Sequence, residues 1–126
     1  MSASGLTPIE LEAAIAEAKT AGFEVVQSAP NLLLLDLDTA AAYRQYERVM
    51  PLLQRYYEAV PEETESKSGN IHVVVRLGED MPVMKRIAWQ AALGSDGIKE
   101  ALATLRVQEG CGEPCLLFRP IKRKHK

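Results

Sequence analysis

"NLLLLDLDTA", residues Asn31 to Ala40, decides how this chain is read. The leucines Leu32 to Leu35 form a short apolar run of the kind that makes a buried strand. Asp36 and Asp38 follow at its end. Side chains two apart share a face of a strand, so the two carboxylates fall on one side with their Cα atoms ~7 Å apart. An unpaired buried carboxylate costs several kcal/mol. The strand end must therefore open to water, meet a cation or hold a metal. A carboxylate pair held this way suits Mg²⁺ or Mn²⁺, which prefer hard oxygen ligands. Equally, Asp36 can sit in a salt bridge while Asp38 caps the following helix, a role open to Thr39 as well.

Upstream of this strand, "LTPIEL" is a helix start. Thr7 can cap, Pro8 fits the first helical position and Glu10 completes a capping box. Leu11, Ala14, Ile15 and Ala18 make an apolar stripe that Gly22 ends. "FEVVQ" reads as a strand, "SAPN" as a turn, and the two strands around that turn as a hairpin.

Downstream, Tyr43, Tyr46, Met50, Leu53, Tyr57 and Val60 recur at helical spacing, which predicts one long helix kinked at Pro51. "PEETESKSGN" reads as a loop and "IHVVVRL" as a strand. Met81 to Leu93 is helical, "GSDG" breaks it, and Ile98 to Leu105 is a short helix. "RVQE" and "CLLFR" are expected to be the last two strands, joined by the turn "CGEPC". The order α–β–β–α–β–α–(α)–β–β favours an α+β fold, a mostly antiparallel sheet covered by helices on one face.

Within "SKSGNIHVVVRL", alternation sends Ile71, Val73, Val75 and Leu77 to one face and His72, Val74 and Arg76 to the other. Lys67, Ser68 and Gly69 precede this strand. Cations, a hydroxyl and backbone amides freed by glycine are the groups that bind phosphate oxygens. A histidine on a strand is just as readily a structural residue.

The chain has 126 residues and a formal charge of −2, which suits one domain. Its last eight residues, "RPIKRKHK", hold five Lys and Arg and no acid; 10 Lys and Arg against 17 Asp and Glu remain, a balance of −7. We therefore divide the chain into a domain at 1–118 and a basic segment at 119–126, which can contact phosphates or simply aid solubility. Cys111 and Cys115 are too few for a disulfide framework, and with only His72 and His125 elsewhere they favour a turn over a zinc site. No apolar run approaches the ~20 residues of a membrane span, and "MSASGLTPIE" does not read as a signal peptide. These features predict a soluble, cytoplasmic protein with no membrane partner.

Taken together, "LLLLDLD" and "SKSGNIH" resemble the archaeo-eukaryotic primase superfamily, which includes primase-polymerases and plasmid and phage replication primases. That family shows an apolar strand ending in two acids one residue apart, then a Ser-x-His element on another strand, then a further acid. Leu35–Asp36–Leu37–Asp38 matches the first motif. Ser68, Gly69 and His72 match the second at a looser spacing, with Asn70 at the serine position of the tight form. Asp96, followed by Lys99 and Arg106, is the match for the third, with Glu109 and Glu113 as competing acids. The resemblance spans about residues 31 to 107. It implies a catalytic core like the RNA-recognition motif, with Asp36, Asp38 and Asp96 as catalytic ligands of Mg²⁺ or Mn²⁺. Two such ions ~4 Å apart would activate a 3′-hydroxyl and stabilise the leaving pyrophosphate. Lys67, Ser68, Asn70, His72 and Arg76 would bind a nucleoside triphosphate. The implied activity is template-dependent nucleotidyl transfer on single-stranded nucleic acid, with a helicase or other replication protein as partner.

Two other classes stay open. "LLLLDLDTA" also resembles the first motif of haloacid-dehalogenase-like phosphatases, although Ala40 stands where that family has Thr. An α+β protein with a basic segment can also bind single-stranded nucleic acid without catalysis, or act as a small phage accessory protein. Stacking is the usual mode of such binding, and Phe23 and Phe118 are the aromatic residues on the predicted strands.

Overall fold

Helix α1 (Pro8–Thr20) starts at the predicted capping box: Thr7 N donates to Glu10 Oε1 at 3.2 Å, and Glu10 N donates to Thr7 Oγ1 at 3.3 Å. The computed structural model describes residues 6–65 and 69–120. Lys67 and Ser68 lie outside the described residues, as does most of the basic segment. After α1 come β1 (Phe23–Gln27), β2 (Leu32–Leu37), α2 (Ala40–Tyr56), β3 (Ala59–Glu65), β4 (Ile71–Leu77), α3 (Val83–Ala92), α4 (Gly97–Gln108) and β5 (Leu116–Pro120). Among the described residues no helix is long and apolar enough to cross a membrane.

The class is α+β, as read from the sequence, and where a mostly antiparallel sheet was expected every strand pairing among the described residues is antiparallel. The pairings themselves differ from the expected hairpin. β1 pairs with β5, while β2 belongs to a separate sheet of order β2-β4-β3. The "SAPN" turn does form, with Leu32 N donating to Ala29 O at 3.0 Å, but it carries the chain from one sheet to the other. Ser28 prolongs the first pairing: its N donates to Cys115 O at 2.9 Å and its Oγ accepts from Cys115 N at 3.2 Å. The division drawn at residue 118 falls inside β5, whose Arg119 and Pro120 pair with Glu24 and Phe23.

Two other segments depart from the sequence reading. α2 runs through Pro51 but ends at Tyr56, and Val60 lies in β3, not in the helix. Much of the expected loop after it is β3, a polar strand at the sheet edge, where a proline such as Pro61 is tolerated. "RVQE" is not a strand: Arg106 to Gln108 complete α4, and Gly110 with φ of 94° follows the helix.

Helices cover more than the one face expected. Leu33, Leu35 and Leu37 pack with Val73, Val75 and Leu77 of β4 against Tyr46, Met50 and Leu53 of α2. On the opposite face Leu34 and Val74 pack against Ile87 of α3, Ala103 of α4 and Leu117 of β5. An unbroken leucine run sends side chains both ways, and burial of both faces is its physical consequence.

The free edge of β2 explains how the second sheet ends. Leu34 N donates to Gln90 Oε1 at 2.9 Å, and Lys99 Nζ donates to Leu34 O at 2.9 Å. Asp36 N donates to Ser95 Oγ at 3.0 Å, and Asp96 N donates to Asp36 O at 2.9 Å. Side chains and a turn amide from α3 and α4 thus fill the ladder positions of a further strand, which also protects the edge from unwanted pairing. An RNA-recognition motif is a single four-stranded sheet. Here the strands divide into three and two, so that expectation is not confirmed.

Candidate functional site

Asp36 and His72 face each other across the β2–β4 pair. His72 Nε2 lies 3.6 Å from Asp36 Oδ1, and their side chains are 11% and 26% exposed. Both line a cleft of about 240 Å³ with Asp96, Lys99 and Arg106, and with the apolar side chains of Ile98, Leu102, Leu117 and Phe118. β2 and β4 supply the dyad by register, α4 supplies one wall and β5 the other.

The charges in this cleft are tied to the fold. Asp96 caps α4, its Oδ1 accepting from Ile98 N at 3.2 Å. Lys99 Nζ bonds Leu34 O and, at 2.8 Å, Glu100 Oε2. Arg106 donates to Pro114 O at 3.0 Å. Gln90, fully buried, donates to Glu100 Oε1 at 2.7 Å and so links the cleft wall to the β2 edge. Burial pushes the Asp36 carboxyl above the usual carboxylate range; His72 pulls it back down, and Asp96 and Asp38 add to the rise. Asp36 Oδ1 is buried and accepts no hydrogen bond from any described residue.

The two aspartates are accommodated differently. Asp38 lies beyond the strand and is exposed to water. It does not cap α2; Thr39 does, accepting from Ala42 N at 3.0 Å. Asp36 is tolerated by its histidine neighbour and by partial exposure.

Of the residues singled out in the sequence, the fold gathers Asp36, His72, Asp96, Lys99 and Arg106 into the cleft. It leaves out Asp38, Asn70 and Arg76, none of which lines it. Arg76 is exposed and pairs with Leu32 at the far end of β2. Lys67 and Ser68 lie outside the described residues. Gln90, Ser95 and Glu100 were not singled out, because isolated polar residues in helices and turns carry no pattern. Phe118 was legible only as a strand aromatic.

The metal-holding arrangement implied by the resemblance can be tested against these side chains. Among the described residues no group of three or more His, Cys, Asp or Glu is arranged to hold a metal ion. Asp38 stands outside the cleft, and one oxygen of Asp96 is engaged in its cap. The described donor set does not fit a two-ion centre. Neither a family model, a curated protein nor a solved structure matches the chain.

Proposed function

We propose that this chain binds single-stranded nucleic acid, seating a nucleobase in the cleft between β2, β4, α4 and β5. The observation that carries this reading is the meeting of charged side chains with the Phe118 ring, 40% exposed, at one cleft. Phe118 lies on β5, which leads into "RPIKRKHK". Aromatic stacking beside a basic track is how proteins hold single strands without reading long sequences. Asp36 and Asp96 offset Lys99 and Arg106 in the cleft, so it offers a phosphate no net positive charge. The base therefore enters the cleft, and the Lys and Arg of residues 119–126 neutralise the phosphates.

Fluorescence anisotropy with a labelled oligothymidylate tests this. Base–aromatic stacking is worth ~1–3 kcal/mol per base, so Phe118→Ala should weaken binding about 5- to 150-fold. Affinity should fall with salt, with a slope of ~0.7 per neutralised phosphate. No binding at low salt would end the proposal.

A second reading, template-dependent nucleotidyl transfer, is favoured by one observation: Asp36, His72 and Asp96 line the same cleft. Primer extension with Mg²⁺ or Mn²⁺ separates it from simple binding. Template-dependent product that disappears in Asp36→Ala and His72→Ala would establish the enzyme; no product from protein that binds the template would exclude it.

A further inference from the structure

We infer that the chain assembles with copies of itself, the exposed face of α1 from one copy lying in the groove between α2 and α3 of the next. The groove measures about 430 Å³. Val49 and Leu52 of α2 and Ala88, Trp89 and Ala92 of α3 line it, together with exposed Lys85. Leu52 is 42% exposed, so this apolar strip faces water. Ala88 and Ala92 stand one helical turn apart, and side chains this small let another helix approach closely.

Charge names the occupant. The two helices that form the groove carry Arg44, Arg48, Arg55, Lys85 and Arg86 against Glu47 alone, on a chain whose formal charge is −2. Arg86 turns inward to Glu113, but Arg44, Arg48 and Arg55 are exposed and spaced four and seven apart, one stripe beside Val49 and Leu52. None of these three, nor Lys85, forms an ion pair among the described residues. The complement is a helix with an apolar stripe between acids.

α1 is such a helix. It holds three Glu and one Lys. Its buried Leu11 and half-buried Ile15 pack toward Cys111 of the "CGEPC" turn, Leu116 of β5 and Val25 of β1. Its outer face presents Ile9, Ala13, Ala16 and Thr20, all exposed and spaced four, three and four apart, with exposed Glu12 and Glu17 on either side. Ile9 is 79% exposed, the most exposed large apolar side chain among the described residues. The Thr20 hydroxyl donates to Ala16 O at 3.0 Å, so it asks nothing of a neighbour.

A chain does not fill its own groove. α1 packs on β1 and β5, whereas α2 covers the far face of the β2-β4-β3 sheet, and no residue of α1 lines the groove. The contact is therefore head-to-tail: each copy offers a helix to one neighbour and a groove to another, and a ring or an open chain results. It uses neither the Asp36 cleft nor the basic segment, so it stands apart from nucleic-acid binding. One helix in one groove makes a small interface, which belongs to the weak class.

Sedimentation velocity of the full chain at about 5 to 500 µM tests this. The mean mass should rise with concentration, and salt raised from about 50 to 500 mM should weaken the rise by screening the flanking charges. Ile9→Gln spoils the helix face, and Ala88→Gln with Ala92→Gln fills the groove; all three positions are exposed, so the fold is kept. Each variant should weaken association about tenfold or more. An equimolar mixture of the two should regain association and stop at a 1:1 pair, because one variant keeps its groove and the other its helix. A monomer at every concentration would overturn the inference, whatever else the groove binds. So would assembly that survives either variant, or variants that stay apart when mixed.

Discussion

Replacing Gln90 with leucine removes the side chain that stands in for a neighbouring strand at Leu34. Gln90 is fully buried, accepts from Leu34 N at 2.9 Å and donates to Glu100 Oε1 at 2.7 Å. Leucine keeps the volume and supplies neither bond. The orphaned Leu34 amide costs about 1–3 kcal/mol, and the bond lost to buried Glu100 about 1.5–3 kcal/mol. Glu100 keeps Lys99 at 2.8 Å, so its charge is not stranded. The expected loss is about 3–5 kcal/mol, a large share of the ~5–15 kcal/mol that holds a domain together. With a urea m-value of about 2 kcal/mol/M, the unfolding midpoint should fall by about 2 M. The melting temperature should fall by about 10–20 °C. Hydrogen exchange supplies a local reading, since the Leu34 amide should lose protection beyond what the global destabilisation explains. A loss under about 1 kcal/mol with Leu34 still protected would refute the idea that side chains replace a strand at this edge.

Three further outcomes follow from the same geometry. Burial raises the Asp36 carboxyl above its ordinary value near 3.8, so the folded state holds that proton more tightly than the unfolded chain. The stabilisation this gives is full below the unfolded value and is lost as pH rises through the folded one. The unfolding free energy of the unaltered protein, minus that of Asp36→Asn, should therefore decrease as pH rises from below 3.8; a flat difference in urea titrations would contradict the assignment. Arg86, 3% exposed, donates to Glu113 at 2.7 and 3.1 Å and to Met81 O at 2.8 Å, pinning the "CGEPC" turn to α3. Glu113→Ala leaves that guanidinium buried without its carboxylate and should cost about 2–4 kcal/mol by chemical denaturation, the partial exposure of Glu113 keeping it below the full buried-pair figure. Gly94 has φ of 91°, and a Cβ there would lie 2.6 Å from Ala42 O; Gly94→Ala should cost about 1–3 kcal/mol by the same measurement.

Local chemistry is what made parts of this molecule legible. Thr7 and Glu10 sit three residues apart and cap their own helix, so α1 needed no tertiary information. The apolar runs at Leu32 and Ile71 were short and bounded by turn residues, the second also β-branched, which favoured buried strands, and side-chain alternation put Asp36 and His72 each on a definable face. The third acid and its basic neighbours, Asp96, Lys99 and Arg106, came from motif resemblance and do reach the same cleft. The end of α2 was hidden because Tyr57 and Val60 continue its period by coincidence, while β3 is ordered by pairing with the β4 backbone and by tertiary contacts such as Tyr43 and Tyr46 donating to Glu63, which local sequence does not announce.

The amino-acid order alone settled which short segments bury themselves, where the first helix begins, and that charged residues punctuate the strand ends. Folding settled which strands meet. β1 finds β5 from the other end of the chain, and no residue in either segment announces that choice, because backbone hydrogen bonds are the same for every partner. The cleft belongs to the same class of fact. Gln90 and Ser95 are ordinary polar residues until β2 presents an edge with no strand beside it, and Asp36 is an ordinary acid until the β2–β4 register sets it opposite an imidazole and α4 closes over one side.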